Sequence, residues 1–209
     1  MSQNVLPGSV CIDVGANFGF YTFFLALHGC KVFAFDPLQR CIELLNTSNK
    51  LNGSADRVTI EKYAVTDGSQ KKIKLGVVDG HLMNTTIDIS AGYTGNSFEV
   101  ETISLDKYFA KKTADKKNIG FIKIDAEGSE YLIWKGMQKL LNENPACVVL
   151  MEFVPDHYQG MGRDFFNELL TNRKVSYVDY AGLEQPLHSY DFIEKDTEPF
   201  RMLVLRAKD

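Results

Sequence analysis

Residues 10–21 constrain the fold of this chain more than any other stretch of its sequence. They read VCIDVGANFGFY, which is a short apolar run, a turn containing Gly15, Asn17 and Gly19, and the beginning of a helical pattern. A buried strand, a glycine-rich turn and a helix in this order are typical of the first unit of a nucleotide-binding α/β fold. The segment therefore predicts a parallel sheet that binds a nucleotide beyond the carboxyl end of its first strand.

A second apolar run, residues 31–35, follows the first helical pattern and ends at Asp36. In nucleotide-binding α/β units, an acidic residue about twenty positions beyond the turn binds the ribose hydroxyls. We therefore expect an adenosine-containing cofactor whose ribose is bound by Asp36.

The spacing of the glycines distinguishes between two such cofactors. A dinucleotide site has the pattern G-x-G-x-x-G, in which the second and third glycines admit a pyrophosphate and a closely packed helix. Here Asn17 stands at the second position and Phe20 at the third. This fits a ligand without a pyrophosphate and with a cationic, methionine-like tail, whose ammonium group Asp13 would bind directly or through water. S-adenosylmethionine fits better than NAD, and an NAD-binding oxidoreductase remains the alternative.

Three segments together resemble a known family. Residues 12–21 (IDVGANFGFY), 34–37 (AFDP) and 121–130 (FIKIDAEGSE) look like the corresponding segments of FkbM-type S-adenosylmethionine-dependent methyltransferases, and they stand in the family's order. Asp36 occupies a position where that family more often has Glu, and Ser129 one where it often has Ala. The resemblance implies O-methylation of a hydroxyl group on a sugar, a glycan or a small natural product.

The order of the predicted elements indicates an α/β fold. We predict a Rossmann-like, seven-stranded methyltransferase sheet that is mostly parallel, with an antiparallel last strand, helices on both faces, and a β-hairpin and loop insertion around residues 70–103. The last two strands, residues 175–180 and 200–206, would form an antiparallel edge pair. The whole chain, residues 1–209, is predicted to be a single domain with a short lead-in at residues 1–9.

The loop at residues 79–96 is rich in Gly, Asn and Thr and is long for a compact domain. Long loops of this kind are often lids over binding sites. We predict that it covers the pocket of the methyl acceptor, with His81 and Asn84 as polar contacts. The alternative is a surface loop with a solvated histidine.

The predicted site lies where several strands end. In an open parallel sheet, ligands bind beyond the carboxyl ends of the strands, and Asp13, Asp36, Asp125 and Glu152 all fall at such ends. The predicted cofactor-binding residues are Asp13, Gly15, Ala16, Asn17, Phe18, Gly19, Tyr21, Asp36, Pro37, Ala64, Val65 and Asp125.

Transfer of a methyl group to a hydroxyl requires an aligned acceptor and a group that takes the proton. The candidate catalytic residues are Asp125, Glu127, Glu152 and His157. Asp125 and Glu152 could also share a Mg²⁺ ion through oxygen ligands, although we assign no metal. In the alternative without a metal, Asp125 contacts the cofactor side and Glu127 acts as a cap or pairs locally.

Two aromatic features allow both a packing and a binding interpretation. Phe20, Phe23, Phe24 and Leu27 recur at helical spacing, which predicts a core-facing stripe rather than a surface that stacks on adenine. Trp134 is likewise expected in the core rather than as a platform for the substrate.

The composition limits the partners. A formal net charge of −4 argues against a nucleic-acid groove, because phosphate binding needs a positive field, so we expect a small-molecule or glycan acceptor. The sequence shows no signal peptide and no run of about 18 apolar residues that would span a membrane. Four cysteines without C-x-x-C spacing indicate reduced, buried thiols in a cytoplasmic-type compartment. A cofactor-binding module without catalytic activity is the second alternative, and the oligomeric state is left open.

Overall fold

The computed structural model describes residues 5–77, 85–86, 97–191, 193 and 201–208. Its strands are β1 (Val10–Val14), β2 (Lys31–Phe35), β3 (Val58–Glu61), β4 (Ala64–Val65), β5 (Lys72–Val77), β6 (Thr85–Thr86), β7 (Ser97–Ile103), β8 (Ile119–Ile124), β9 (Val148–Phe153), β10 (Lys174–Val178), β11 (Glu184–Leu187) and β12 (Arg201–Arg206). Its helices are α1 (Phe20–Leu27), α2 (Gln39–Leu51), α3 (Leu105–Phe109), α4 (Thr113–Lys116), α5 (Glu130–Lys135), α6 (Gln138–Glu143) and α7 (Gly162–Asn172), with a 3₁₀ helix at Pro155–Tyr158.

The larger sheet contains eight strands in the order β11-β10-β12-β9-β8-β1-β2-β3. The run from β9 to β3 is parallel, and β12 is antiparallel to both of its neighbours, β9 and β10. The predicted Rossmann-like sheet is confirmed, with one strand more than expected. The extra strand is β11, which pairs antiparallel with β10 at the edge. As a result, β10 and β12 form the expected antiparallel pair, but neither of them is the edge strand.

The sheet separates two apolar layers. On one face the buried side chains of β1, β2 and β8 pack against α3, α5, α6 and α7. On the other face, side chains from the same strands pack against α1 and α2. Alternate residues of each strand enter opposite layers because strand side chains alternate in direction. The apolar runs seen in the sequence are therefore central strands that are covered on both faces.

A second, smaller sheet has the strand order β4-β7-β5-β6. Its core is the antiparallel pair of β5 and β7, which confirms the strand pairing predicted around residues 70–103. The alternating pattern of residues 58–65 predicts a single third strand, but the segment is divided, since β3 joins the large sheet and β4 joins the small one. The proposed lid contacts His81 and Asn84 lie outside the described residues.

Two predictions about helices need correction. The α1 stripe is only partly inward, because Phe23 is buried whereas Phe20 and Leu27 are 64% and 75% exposed. The apolar periodicity of residues 130–142 predicts one continuous helix, but the segment is broken into α5 and α6 at Gly136. A Cβ at Gly136 would lie 2.2 Å from the backbone oxygen of Thr66, so the chain passes too close to the β4 exit for a side chain there. Trp134 is fully buried, as expected.

All four cysteines are buried and none forms a disulfide. Within the part of the chain that the structure describes, no helix combines the length and apolar character needed to cross a bilayer.

Candidate active site

A cavity of about 280 Å³ opens at the carboxyl ends of β1, β2 and β8. Most of the residues predicted to bind a cofactor line this cavity. Two of the predicted catalytic residues, Asp125 and Glu127, also line it. The predicted residues that line it are Gly15, Ala16, Asn17, Phe18, Tyr21, Asp36, Pro37, Ala64, Val65, Asp125 and Glu127.

The turn after β1 is shaped by three residues in the left-handed region of backbone conformation. The φ angles are 71° at Gly15, 52° at Asn17 and 95° at Gly19. Glycine and asparagine adopt this region most easily, which explains the pattern Gly-x-Asn-x-Gly. Gly19 does not line the cavity, and its role is packing, because a Cβ there would lie 2.4 Å from the ring of Phe23.

Backbone hydrogen bonds join this turn to the neighbouring strands. The N–H groups of Gly15 and Ala16 both donate to the carbonyl oxygen of Phe35, each at 3.0 Å. On the other side, the N–H of Asp125 donates to the carbonyl oxygen of Val14 at 3.2 Å. The exits of β1, β2 and β8 therefore form one connected rim around the cavity.

Asp36 is held at this rim by two backbone donors. Its Oδ2 accepts from the N–H of Asn17 and its Oδ1 from the N–H of Leu38, each at 2.9 Å. The side chain is buried, and burial raises the pKa of the Asp36 carboxyl despite these two hydrogen bonds. Each carboxylate oxygen has a further lone pair, so Asp36 can still accept hydrogen bonds from a diol in the cavity.

Asp13 lies beneath the cavity rather than in its wall. The residue has no exposed surface, Thr22 Oγ1 donates to its Oδ2 at 2.6 Å, and Lys123 Nζ lies 3.4 Å from its Oδ1. A direct contact between Asp13 and a ligand ammonium, which the sequence suggested, is therefore corrected, because a fully enclosed carboxylate cannot touch a molecule in the cavity. A contact through water stays a prediction.

Lys123 is a cavity-lining residue that the sequence reasoning missed. Its ammonium group donates to the carbonyl oxygens of Gly15 and Val14, at 2.8 and 3.3 Å. Besides Asp13, it lies 3.5 Å from Oδ2 of Asp125. Burial lowers the pKa of Lys123, but the two carboxylates outweigh it, so that the net shift is upward and the lysine is charged.

The loop after β8 is fixed by Glu130, the first residue of α5. Its Oε1 accepts from the N–H groups of Ala126 and Gly128, at 2.8 and 3.4 Å, and Tyr158 donates to its Oε2 at 3.3 Å. Burial raises the pKa of Glu130 to about 6. Ser129 precedes α5 and is of a residue type favoured at helix N-caps, but its side chain makes no capping hydrogen bond. Glu130 thus fixes the loop that precedes α5.

Glu127 stands at the apex of this loop and lines the cavity. Its φ angle is 51°, which is a strained conformation for a residue with a side chain. Burial, followed by the charge of Asp125, raises the pKa of the Glu127 carboxyl. A carboxylate of raised pKa is a better proton acceptor than an ordinary one.

The other two predicted catalytic residues lie beside the loop, not in the cavity wall. Glu152 is half-buried on β9, and burial together with the charges of Asp125, Glu130 and Glu127 raises its pKa to about 8. His157 is exposed and near enough to Glu127 for its charge to lower the pKa of that carboxyl. Among the described residues, no three His, Cys, Asp or Glu side chains form a group that could hold a metal ion. The pairing of Asp125 and Glu152 on Mg²⁺ stays a prediction.

The comparison with protein families decides where this chain belongs. Residues 13–193 match the methyltransferase FkbM domain. The chain belongs to the FkbM methyltransferase family. A comparison with curated protein sequences gave no match.

Solved structures with a similar fold include several methyltransferases. An rRNA methylase from Streptococcus thermophilus is 15% identical over 99% of this chain and 92% of its own, with a TM-score of 0.54. The precorrin-6y C5,15-methyltransferase of Geobacter metallireducens is 10% identical over 99% and 84%, with a TM-score of 0.51. The O-methyltransferase of Bacillus cereus in complex with SAH is 15% identical over 95% and 74%, with a TM-score of 0.50. At such low sequence identities, the similarity of these three structures to this chain shows a shared fold and nothing more.

Proposed function

We propose that this FkbM-family protein transfers the methyl group of S-adenosylmethionine to a hydroxyl oxygen of a sugar, a glycan or a small natural product. The observation that carries the proposal is the position of two acids around one cavity. Asp36 lies at the end of β2 and Asp125 at the end of β8, and both line the space above the Gly15 turn. Two acids on the wall of one cavity suit a ligand with a ribose at one end and a cationic amino-acid tail at the other.

The residues around the cavity suggest how the cofactor would lie. Asp36 would accept hydrogen bonds from the ribose hydroxyls, as acids at this position of α/β nucleotide sites do. The side chain of Asp125 is 37% exposed, and we assign to it the ammonium group that cannot reach the enclosed Asp13. Ala64 and Val65, which line the cavity beside the β3 exit, would flank the adenine with small apolar surfaces.

When bound, S-adenosylmethionine supplies a sulfonium methyl group that a hydroxyl oxygen takes, forming a C–O bond as the S–C bond breaks and S-adenosylhomocysteine is left. The protein must align the hydroxyl and accept its proton. Glu127 is our first candidate for the base because, among the four candidate residues, it alone combines a place in the cavity wall with a raised carboxyl pKa and a neighbouring histidine. Asp125, Glu152 and His157 remain the other candidates.

The charge of the cavity favours an uncharged acceptor. The wall carries the carboxylates of Asp36, Asp125 and Glu127, while the side chain of Lys123 is 3% exposed and already paired with carboxylates. A phosphate-bearing acceptor would meet uncompensated negative charge here. This supports a small-molecule or glycan acceptor and argues against a nucleic acid, although the rRNA methylase shares the fold.

Calorimetry with S-adenosylmethionine, S-adenosylhomocysteine and NADH tests the cofactor. We expect the first two to bind and NADH not to bind, because the turn has no third glycine for a pyrophosphate site. Binding of NADH alone would support the oxidoreductase alternative. Release of S-adenosylhomocysteine in the presence of a panel of sugars, glycosides and small polyols tests turnover, with EDTA added to one series to decide whether a divalent ion is used. Tight cofactor binding with no release for any acceptor would favour the non-catalytic module.

A further inference from the structure

The buried ammonium group of Lys123 connects a carboxylate outside the cavity to one inside it. Asp13 and Lys123 are direct neighbours on β1 and β8, and both side chains enter the otherwise apolar layer under α1. The side chain of Asp13 is 0% exposed and that of Lys123 is 3% exposed. Asp125 is the third member of this charged group, and its side chain is 37% exposed. The three residues thus form a chain of charges that runs from the protein interior to the cavity.

A contribution to stability alone does not explain this arrangement. Replacing a buried ion pair by apolar side chains of similar volume is often neutral or stabilising, because removing two charges from water offsets their attraction. The ammonium group also donates to the carbonyl oxygens of Val14, the last residue of β1, and of Gly15, which follows it, and both residues line the cavity. Lys123 therefore contacts the backbone at the end of β1 and one oxygen of Asp125 at the same time.

The charge balance of the group points to a cationic ligand. Asp13 and Asp125 supply two negative charges, and Lys123 supplies one positive charge. The excess negative charge lies at the cavity end, because Asp13 is enclosed by Thr22 and Lys123. The ammonium group of an amino-acid ligand beside Asp125 would complete the balance.

We propose that Lys123 is a positioning residue that braces Asp125 against the buried Asp13, so that the Asp125 carboxylate is held ready for the ammonium group of the cofactor's amino-acid tail. This inference rests on the proposed S-adenosylmethionine site. In it, Asp13 acts on the cofactor through Lys123 and Asp125 rather than by touching it.

Two probe ligands separate this role from a purely structural one. S-adenosylhomocysteine carries the amino-acid tail, and 5′-methylthioadenosine carries the same adenosine and thioether without that tail. In Lys123→Met we expect the Kd of S-adenosylhomocysteine to rise by about tenfold or more, while that of methylthioadenosine changes by less than about twofold. The matched control is Lys135→Met, which also removes a lysine ion pair, here with Glu168, and should leave both Kd values unchanged.

Lys123→Met leaves the buried Asp13 without its cation, so this variant can fail to fold. The double variant Asp13→Asn with Lys123→Met removes both buried charges together and keeps the test available. The double variant should bind methylthioadenosine with the affinity of the wild type. Its affinity for S-adenosylhomocysteine should fall as much as expected for Lys123→Met. An unchanged ratio of the two Kd values in the folded variant would overturn the inference.

A double-mutant cycle shows whether Lys123 acts through Asp125. We expect Asp125→Asn alone to give the tail-selective loss, and Lys123→Met to add less than about twofold to it. If adding Lys123→Met to Asp125→Asn lowers the affinity for S-adenosylhomocysteine again by the full amount, Lys123 acts on the tail independently of Asp125. This result would also overturn the inference. Failure of the proposed function looks different, because then the wild-type protein binds neither ligand.

Discussion

The backbone oxygen of Asp125 occupies the space that a side chain at Gly15 would need, since a Cβ built on Gly15 would lie 1.8 Å from that oxygen. The exits of β1 and β8 therefore touch through their backbones. This contact brings the Asp125 side chain over the glycine turn. It also places the carbonyl oxygen of Gly15 within hydrogen-bond reach of Lys123. The shape of the cavity thus depends on the absence of one methyl group.

The first prediction concerns this contact. Gly15→Ala adds a side chain both at a φ of 71° and against the backbone of Asp125, so we expect a loss of about 3 kcal/mol in unfolding free energy and loss of cofactor binding. The matched control is Gly53→Ala, which has a φ of 60° but nothing within 4 Å and should lose only about 1 kcal/mol. Urea unfolding measures both. Equal losses of unfolding free energy in the two variants would mean that the close contact at Gly15 does not affect stability.

The second prediction concerns the ribose. Asp36→Asn replaces one acceptor oxygen by an NH2 group, so that one of the two backbone N–H groups of Asn17 and Leu38 loses its acceptor. We therefore expect weaker binding of S-adenosylhomocysteine and methylthioadenosine alike, by about tenfold or more. The equal effect on both ligands contrasts with the tail-selective effect expected at Lys123. The comparison variant is Asp179→Asn, because Asp179 also accepts from two backbone N–H groups, those of Ala181 and Leu183, but lies outside the cavity. Calorimetry should show unchanged affinity there, and a large loss at Asp179 would argue against a local role for Asp36.

The residues of the site that are marked by short sequence patterns could be predicted from the sequence. Asp36 was recognisable because an apolar run ends immediately before it, and Gly15 because its turn follows the first strand. In parallel strands the carboxyl ends meet at one edge of the sheet, so the convergence of Asp36 and Asp125 followed from the order of elements. Family membership and the sheet topology bear out the fold that this reasoning predicted.

The parts that depend on pairing between strands could not be read in the same way. A lone lysine in a strand suggests a solvated side chain, and only the register that places Lys123 beside Asp13 shows a buried pair. One signal was present, since each of these opposite charges stands one residue before the end of an apolar strand. Strand β11 was missed because Glu184–Leu187 is short and contains Pro186, which is tolerated at a sheet edge but weakens the strand pattern.

The third prediction concerns pH. The folded protein holds the pKa of Glu152 at about 8, compared with 4.5 for an ordinary Glu, because of burial and the nearby acids. The folded state therefore binds this proton more tightly than the unfolded state, so the stability contributed by Glu152 is present below about pH 4.5 and is lost as the pH rises to about 8. Glu152→Gln should remove this loss, making the variant more stable than the wild type at pH 8 and similar to it at pH 5.

The control variant for this prediction should change stability at pH 8 in the opposite direction. Arg206 donates to Glu184 at 2.7 Å, and this hydrogen bond lowers the pKa of the Glu184 carboxyl. Its stabilising effect is present above the unfolded pKa and disappears as the pH falls through the folded one. Glu184→Gln should thus be less stable than the wild type at pH 8. Thermal melts at pH 5 and pH 8 compare the two variants, and a destabilised Glu152→Gln protein at pH 8 would contradict the electrostatic account.

The last prediction separates stability from turnover at Glu127. Its φ of 51° is unfavourable for a residue with a Cβ but not for glycine, so Glu127→Gly should be about as stable as the wild type or more stable by up to about 1 kcal/mol. Both Glu127→Gly and Glu127→Gln should reduce methyl transfer by about 100-fold or more if this carboxylate accepts the acceptor's proton. Affinity for S-adenosylhomocysteine should change little in Glu127→Gln, because only the proton acceptor has been removed. If Glu127→Gln transferred methyl groups at the wild-type rate, Glu127 would not be the base, and Asp125, Glu152 or His157 would be the remaining candidates.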